Sequence, residues 1–243
     1  MRIVIEFKNE IFLPFKHYNH ILQSFIYRNL PKNLAKFLHE EGFSHGKRKF
    51  KLFTFSRLIG KSKIKDEFIK ISPPVSLKIS SPQKEFIIGL INEIMKKQKL
   101  KIGENEVEIN NIRVEQKPQF ESITKIKMLS PMTVYSTFKK EGKKKQYFYN
   151  PKEKDFSRLI EENLKKKYKA FYGKDIEGRL EVYPLHIDSK DLKIVYFKGT
   201  VIKGWMGRYE LRGDERLMSW AWEVGLGAKN SQGFGMFEVI NRK

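Results

Sequence analysis

Five histidines, no cysteine and a glycine-rich run near the C-terminus set the chemical repertoire of this 243-residue chain. Without cysteine there is no thiolate nucleophile, disulfide, iron–sulfur cluster or thiolate zinc site. No histidine pair has the HExxH spacing of a metal-binding helix, so neither a metal nor another cofactor is expected. Imidazole is then the natural acid–base group, because it exchanges protons near neutral pH. His39 follows the apolar pair Phe37-Leu38 at the end of a helical pattern. On local sequence it reads either as a structurally bonded side chain or as an acid–base group. His45, in Ser44-His45-Gly46-Lys47-Arg48, sits among cations that disfavour its protonated form and is the alternative. His17 and His20 flank a helix start, and His186 is isolated.

The run from Gly225 to Gly235 holds glycines at 225, 227, 233 and 235, with Lys229, Asn230 and Ser231 between them. Such a loop is either an ordinary glycine-rich turn or one whose backbone N–H groups face phosphates. It leads from a helix to a strand, the reverse of a dinucleotide-binding loop, which discourages a nucleotide-cofactor enzyme. The charge balance favours phosphates: 49 Lys and Arg against 28 Asp and Glu give +21, and the excess divides almost evenly about residue 118. A folded body this basic implies a polyanionic partner, most simply nucleic acid. The clusters Lys47-Arg48-Lys49, Lys61 to Lys65, Lys143 to Lys145 and Lys165 to Lys167 are each solvated faces or RNA contacts. The first is preferred because it lies near His39. Arg208, Arg212 and Arg216, near Trp205 and Tyr209, form a second candidate surface.

Those groups must be positioned by regular elements. Arg2–Phe7 alternates as a strand, and Ile21, Leu22, Phe25 and Ile26 mark a helix that Pro31 stops. A short helix reaches Gly42, a basic loop follows at 46–49, and residues 50–58, 68–72 and 75–80 read as strands. A helix opened by Ser81-Pro82 carries Phe86, Ile87, Leu90, Ile91 and Met95, and a strand spans 106–115. The second half gives strands at 122–129, 134–138 and 146–149, a helix over 151–172, strands within 178–185 and 192–211, a helix over 214–224 and a strand over 234–240. The order β-α-β-β-α-β twice over predicts an α+β chain of tandem ferredoxin-like (RRM-like) domains with antiparallel sheets, divided as 1–118 and 119–243. No apolar run approaches the ~20 residues that span a bilayer, and the N-terminus lacks a secretion signal, so a cytoplasmic protein without membrane contact is expected.

The pattern Gly-Leu-Gly, five residues, Gly-Phe-Gly-Met resembles the signature of the CRISPR repeat-processing endoribonucleases of the Cas-six family, within the RAMP superfamily. Tyr18-Asn19-His20, Leu22-Gln23, Ile26-Tyr27, Phe37-Leu38-His39-Glu40, Lys51-Leu52-Phe53-Thr54-Phe55-Ser56 and Leu129-Ser130-Pro131 agree in order, so the resemblance spans nearly the whole chain. It implies metal-independent cleavage of CRISPR precursor RNA within its repeats to give guide RNAs, with CRISPR repeat RNA as partner and other Cas proteins of an effector complex as further partners. Carried over residue by residue, it implies catalytic roles for Tyr27, His39 and Lys51. RNA contacts are expected from Lys47, Arg48, Lys49, Gly225, Gly227, Lys229, Asn230, Ser231, Gly233 and Gly235. The interval from His39 to Lys51 is longer than in compact members and leaves open which of Lys47, Lys49 and Lys51 reaches the phosphate. A catalytically inactive repeat-binding subunit of the same fold and a generic RNA-binding adaptor are the rival readings.

Overall fold

The computed structural model describes residues 1–240. Residues 241–243, the end of the second expected domain, lie outside the described residues. The alternating segment Arg2–Phe7 forms β1, and after a bend Ile11–Pro14 forms β2. Helices α1 (Tyr18–Arg28) and α2 (Lys32–Glu40) are separated by Pro31. Strands β3 (Phe43–His45) and β4 (Arg48–Phe50) make a hairpin, followed by β5 (Thr54–Phe55), β6 (Ile59–Lys65) and β7 (Phe68–Ser80). Helix α3 (Lys84–Met95), the small hairpin β8 (Leu100–Ile102) and β9 (Asn105–Val107), and β10 (Ile109–Glu115) complete the first half. Strands β5 and β6 lie along one edge of β7, and β1 pairs with both β7 and β10. The order β6-β7-β1-β10 with helical crossovers is the ferredoxin-like arrangement.

Residues 116–122 lead into the second half, where β11 (Ile123–Met128) precedes the hairpin of β12 (Tyr135–Lys140) and β13 (Lys143–Phe148). Then follow α4 (Lys154–Tyr172), β14 (Leu180–Pro184), the hairpin of β15 (Leu192–Phe197) and β16 (Thr200–Trp205), β17 (Arg208–Gly213), α5 (Glu215–Val224) and β18 (Phe237–Val239). The sheet order β14-β17-β11-β18 repeats the first topology, with both hairpins as insertions. All the pairings are antiparallel, so the α+β chain of tandem ferredoxin-like domains stands as expected. One core gathers Phe25, Phe53 and Phe86, and the other Phe156, Tyr209, Trp220 and Trp222.

Several local expectations change. The strand expected at 50–58 breaks because Leu52 takes a left-handed backbone (φ 50°), leaving only Thr54–Phe55 paired with β7. The strand beside β7 is chiefly Ile59–Lys65, whose side chains are all exposed, so the Lys61 to Lys65 cluster lies on a solvated strand. Residues 68–72 and 75–80 form one 13-residue strand that passes through Pro73-Pro74. The basic loop at 46–49 is the tip and return strand of a hairpin. The segment 192–211 holds parts of three strands, and its first turn is at Gly199. Met95, assigned to a buried stripe, is exposed. The last strand begins only at Phe237, because the residues before it belong to the glycine-rich loop.

The two domains are joined through a buried cation. Arg2 on β1 is fully buried and donates to the carbonyls of Trp222 (2.7 Å) and Phe237 (2.8 Å) in the second domain. Its guanidinium lies 3.9 Å from the centre of the Trp222 ring. Burial lowers its pKa to about 9, opposed by Glu115, Glu238 and Glu223, so it is charged at neutral pH. An Arg2→Met variant leaves the buried Phe237 carbonyl without a donor and the Trp222 carbonyl with Ser80 Oγ alone at 3.2 Å, which costs about 1–3 kcal/mol. Urea unfolding is expected to show a lowered midpoint of that size, and an unchanged midpoint would show that the seam does not depend on Arg2.

Candidate active site and nucleic-acid interface

Asn19, Gln23 and Tyr27 are spaced four residues apart and share one face of α1. The first two grip the glycine-rich loop: Asn19 Nδ2 donates to the carbonyl of Gln232 at 2.7 Å, and Gln23 Nε2 to that of Ser231 at 2.6 Å. Tyr27, one turn further on, packs edge-on against Phe53 (5.8 Å between ring centres) and His39 (6.5 Å, planes 87° apart). Burial pushes its phenol pKa up to about 12. His39 is exposed in the last turn of α2.

Lys51 Nζ donates to the His39 carbonyl at 2.9 Å, and Lys49 Nζ to the Glu40 carbonyl at 2.9 Å. Two cations thus cap the negative end of α2, where carbonyls lack helical partners. Burial, then the charge of Lys49, lowers the pKa of Lys51. The left-handed turn at Leu52 ends the strand here, and Ser81 Oγ donates to the Leu52 carbonyl at 2.9 Å. Tyr27, His39 and Lys51 therefore converge, from two helix ends and a strand exit. His45 pairs with Arg48 near the hairpin tip, and Arg48 is three extended residues, about 10 Å, from Lys51.

The hairpin carrying Lys47, Arg48 and Lys49 is braced by both domains. Phe43 at its base meets Phe37 of α2 (5.5 Å) and Phe171 of α4 (5.2 Å). From Lys51 a cleft of about 710 Å³ runs between the domains, walled by Arg48, Lys49 and Lys51 on one side and by Tyr135, Lys229 and Ser231 on the other. Among the described residues its one lining carboxylate is Glu162, which pairs with Arg158 and Lys166. Tyr27 and His39 stand beside the Lys51 end rather than on its walls.

The glycines at 225, 227, 233 and 235 are buried, and they serve close packing. A Cβ at Gly235 would lie 2.0 Å from the Leu226 carbonyl oxygen, and one at Gly227 would lie 2.5 Å from that of Thr133. Asn230 is also buried and donates to the carbonyls of Leu226 and Phe234, each at 3.0 Å. Lys229 and Ser231 are the half-buried residues of the expected set that line the cleft. Lys229 takes a left-handed backbone (φ 57°), and its ammonium lies 4.9 Å from the Tyr135 ring centre. Burial lowers its pKa.

The remaining clusters sort by partner. Lys165 and Lys166 pair with Glu161 and Glu162, and Arg212 and Arg216 pair with Glu210 and Asp214. Lys167, expected on a solvated face, is instead buried, with Nζ donating to the carbonyls of Gly225 (2.9 Å) and Gly227 (2.8 Å). Sequence reasoning missed Lys167, Gln23 and Tyr135. Gln23 left a signal in the Leu22-Gln23 match and in its four-residue spacing from Tyr27, and Lys167 appeared only as one of a lysine cluster. Among the described residues no group of three or more His, Cys, Asp or Glu side chains could hold a metal ion. Nor is any helix long and apolar enough to cross a membrane.

Comparison with known proteins places this geometry in context. Residues 12–113 match the family model described as CRISPR-associated protein Cas6, N-terminal, and residues 114–239 that described as CRISPR associated protein Cas6, C-terminal. The chain is 32% identical to CRISPR-associated endoribonuclease Cas6 1 of Methanocaldococcus jannaschii, covering 99% of this chain and 92% of that protein. A solved structure described as the characterization of a Cas6-related gene from Pyrococcus furiosus superposes with a TM-score of 0.86 at 26% identity, over 100% and 99% of the two chains. Another, described as an RAMP protein binding different RNA substrates, gives 0.84 at 25% identity over 99% and 100%.

Lys167 gives the loop a pH signature. Burial pushes its pKa well down, so between its folded value and the unfolded lysine value near 10.4 the unfolded chain binds more protons. Stability contributed at this site therefore rises with pH across that window. Lys167→Met is expected to lose about 2–4 kcal/mol at pH 9, through two orphaned carbonyls, and to show a flatter stability–pH slope than the parent. Equal slopes in urea melts between pH 7 and 9 would refute the assignment.

Proposed function

The chain belongs to the Cas6 family, and from that premise we infer that it is an endoribonuclease cutting CRISPR precursor RNA within its repeats, without a metal ion, through Tyr27, His39 and Lys51. The contact of the Tyr27 and His39 rings, with the Lys51 ammonium on the His39 carbonyl at one end of the basic cleft, carries the reading. The names of the Methanocaldococcus relative and of the RNA-binding RAMP structure support the substrate class. In this reading the first domain, to about residue 118, supplies the chemistry, and the second supplies the loop that holds the repeat.

Without a metal, RNA is cut by its own 2′-hydroxyl. The 2′ oxygen attacks the adjacent phosphorus, the bond to the 5′ oxygen breaks, and a 2′,3′-cyclic phosphate and a 5′-hydroxyl remain. One group must take the 2′ proton and another must protonate the leaving 5′ oxygen. With its pKa raised to about 12, Tyr27 stays a neutral phenol at neutral pH and is the group that gives its proton to the leaving 5′ oxygen. The base is then His39, whose side chain is exposed. Lys51 stabilises the charge that builds on the phosphorane. Its bond to the His39 carbonyl ties the phosphate-binding cation to the helix end that presents the imidazole. Lys229 and Ser231 engage the RNA backbone along the opposite wall, while Asn230 and the four glycines hold the loop in shape.

Cleavage of a cognate repeat RNA in EDTA, beside the same RNA with a 2′-deoxy substitution at the scissile nucleotide, tests the chemistry. The first is expected to be cut and the second to survive. His39→Ala should lower cleavage by about 10²–10⁴-fold while repeat binding changes by no more than a few-fold. Binding without cutting by the parent protein would instead identify a repeat-binding subunit of the same fold. For the loop, Lys229→Gly is the cleaner substitution, because glycine accepts the left-handed backbone that alanine would strain. It should weaken binding and reduce the salt slope by about 0.7 for a single-stranded contact. An unchanged slope would remove Lys229 from the phosphate contacts.

A further inference from the structure

The hairpin of β12 and β13 carries Lys139, Lys140, Lys143, Lys144 and Lys145. All five are exposed, and among the described residues none makes an ion pair or a side-chain hydrogen bond. On α4, by contrast, Arg158, Lys165 and Lys166 each have a carboxylate partner. In the hairpin the register sets Lys139 opposite Lys144 and Lys140 opposite Lys143. Like charges directly across a strand pair destabilise it, so this local arrangement opposes the fold it sits in.

Strand alternation also sorts the hairpin into two faces. Phe138 and Lys145 are opposite each other, as are Ser136 and Tyr147, so one face presents Lys140, Lys143, Phe138, Lys145 and Tyr147 in succession. Phe138 is 44% exposed and Tyr147 47%. Tyr147 is held by its hydroxyl, which donates to Glu153 Oε2 at 2.8 Å, and its ring meets Tyr149 edge-on at 5.0 Å. Exposed rings interleaved with unpaired cations match the chemistry of a single-stranded nucleic acid, whose bases stack while its phosphates meet ammonium groups. The base of the same strand, Tyr135 to Thr137, lines the cleft. From Tyr135 to Lys140 the strand extends about 17 Å outward.

We propose that this hairpin is an RNA-binding arm outside the catalytic cleft, which holds the single-stranded segment of the transcript flanking the bound repeat. The proposal deepens the repeat-cleavage reading and rests on it for the identity of the RNA. A polyanion on the arm relieves the facing-lysine repulsion, so the hairpin is most stable when occupied. The arm adds affinity through phosphates and stacking without base-edge readout, and it is therefore indifferent to the sequence of the flank.

The test compares binding of a repeat RNA alone with the same repeat extended by about ten uridines at its 5′ or 3′ end, a length within the usual single-strand site size. The parent protein should bind at least one extended RNA about tenfold tighter at low salt. A variant with all five lysines changed to Gln should lose that gain, with a salt slope shallower by about three, and should still bind and cut the bare repeat as the parent does. Equal binding of extended RNA by variant and parent, no gain from either extension, or an equal loss on the bare repeat would overturn the arm. If the parent fails to recognise or cut the repeat, the repeat-cleavage reading fails. The arm is then judged on oligouridine alone, where the variant must bind more weakly for it to stand. Folding of the variant is checked by its thermal midpoint, expected at or above that of the parent because the facing like charges are gone. Should it fall, 4-thiouridine placed in the extension of the better-bound RNA decides with the unaltered protein. Crosslinks in the peptide spanning Phe138 to Tyr147 support the arm, and their absence overturns it.

Discussion

The guanidinium of Arg2 lies in the seam between two sheets, and the architecture of the candidate site depends on it. Its two donated bonds fix the end of α5 and the start of β18 against the first strand of the chain. Between those two points runs the glycine-rich loop, so anchoring both of its flanks sets where the loop can lie. Asn19 and Gln23 then draw the loop onto α1, and Thr54 Oγ1 adds a bond to the Phe234 carbonyl at 3.0 Å. The cleft exists because the two domains are held at this seam.

Within that frame Tyr27, His39 and Lys51 are presented by the ends of elements rather than by their centres. Tyr27 and His39 lie in the last turns of two helices, and Lys51 follows a two-stranded hairpin. Helix ends expose unpaired carbonyls, and the lysines that satisfy them bring positive charge to the end of α2. Two residues with left-handed backbone, Leu52 and Lys229, mark the turns at either side of the cleft. Such conformations cost of order 1–3 kcal/mol at a residue with a side chain, and they persist where surrounding contacts determine them. Here those contacts are the Ser81 bond at Leu52 and, beyond Lys229, the Asn230 and Lys167 bonds to the loop.

The charge of +21 is distributed with a pattern that composition does not show. On α4 and beside β17 the cations are matched by carboxylates one turn or two residues away. Among the described residues they are not matched at Arg48, Lys49, Lys51 and Lys229 of the cleft, nor on the β12–β13 hairpin. Lys167 is a separate case, a buried amine used as a donor to two carbonyls inside the protein. Counting lysines therefore overstates the nucleic-acid surface on some faces and hides its continuity on another.

The sequence by itself determined the tandem ferredoxin-like order, because strand alternation, helical stripes and proline breaks are local signals that packing reinforced. Tyr27, His39 and Lys51 were expected only from the family resemblance, and the structure sets the Tyr27 ring against that of His39 and the Lys51 ammonium on the His39 carbonyl. What the sequence left to the tertiary structure depended on distant partners. Leu52 reads as a strand residue until its left-handed turn is fixed by Ser81, and Ile59–Lys65 shows only a cluster of lysines until β7 supplies its hydrogen bonds. The four glycines read as phosphate-facing, yet their burial against Leu226, Thr133 and Asn19 comes from chain segments far away in sequence as well as nearby. Lys167 matched its two neighbours in type and separated from them only in packing. Side-chain type and spacing are written along the chain, whereas burial, pairing and the cleft arise only when two independently legible domains meet across a seam that neither half encodes alone.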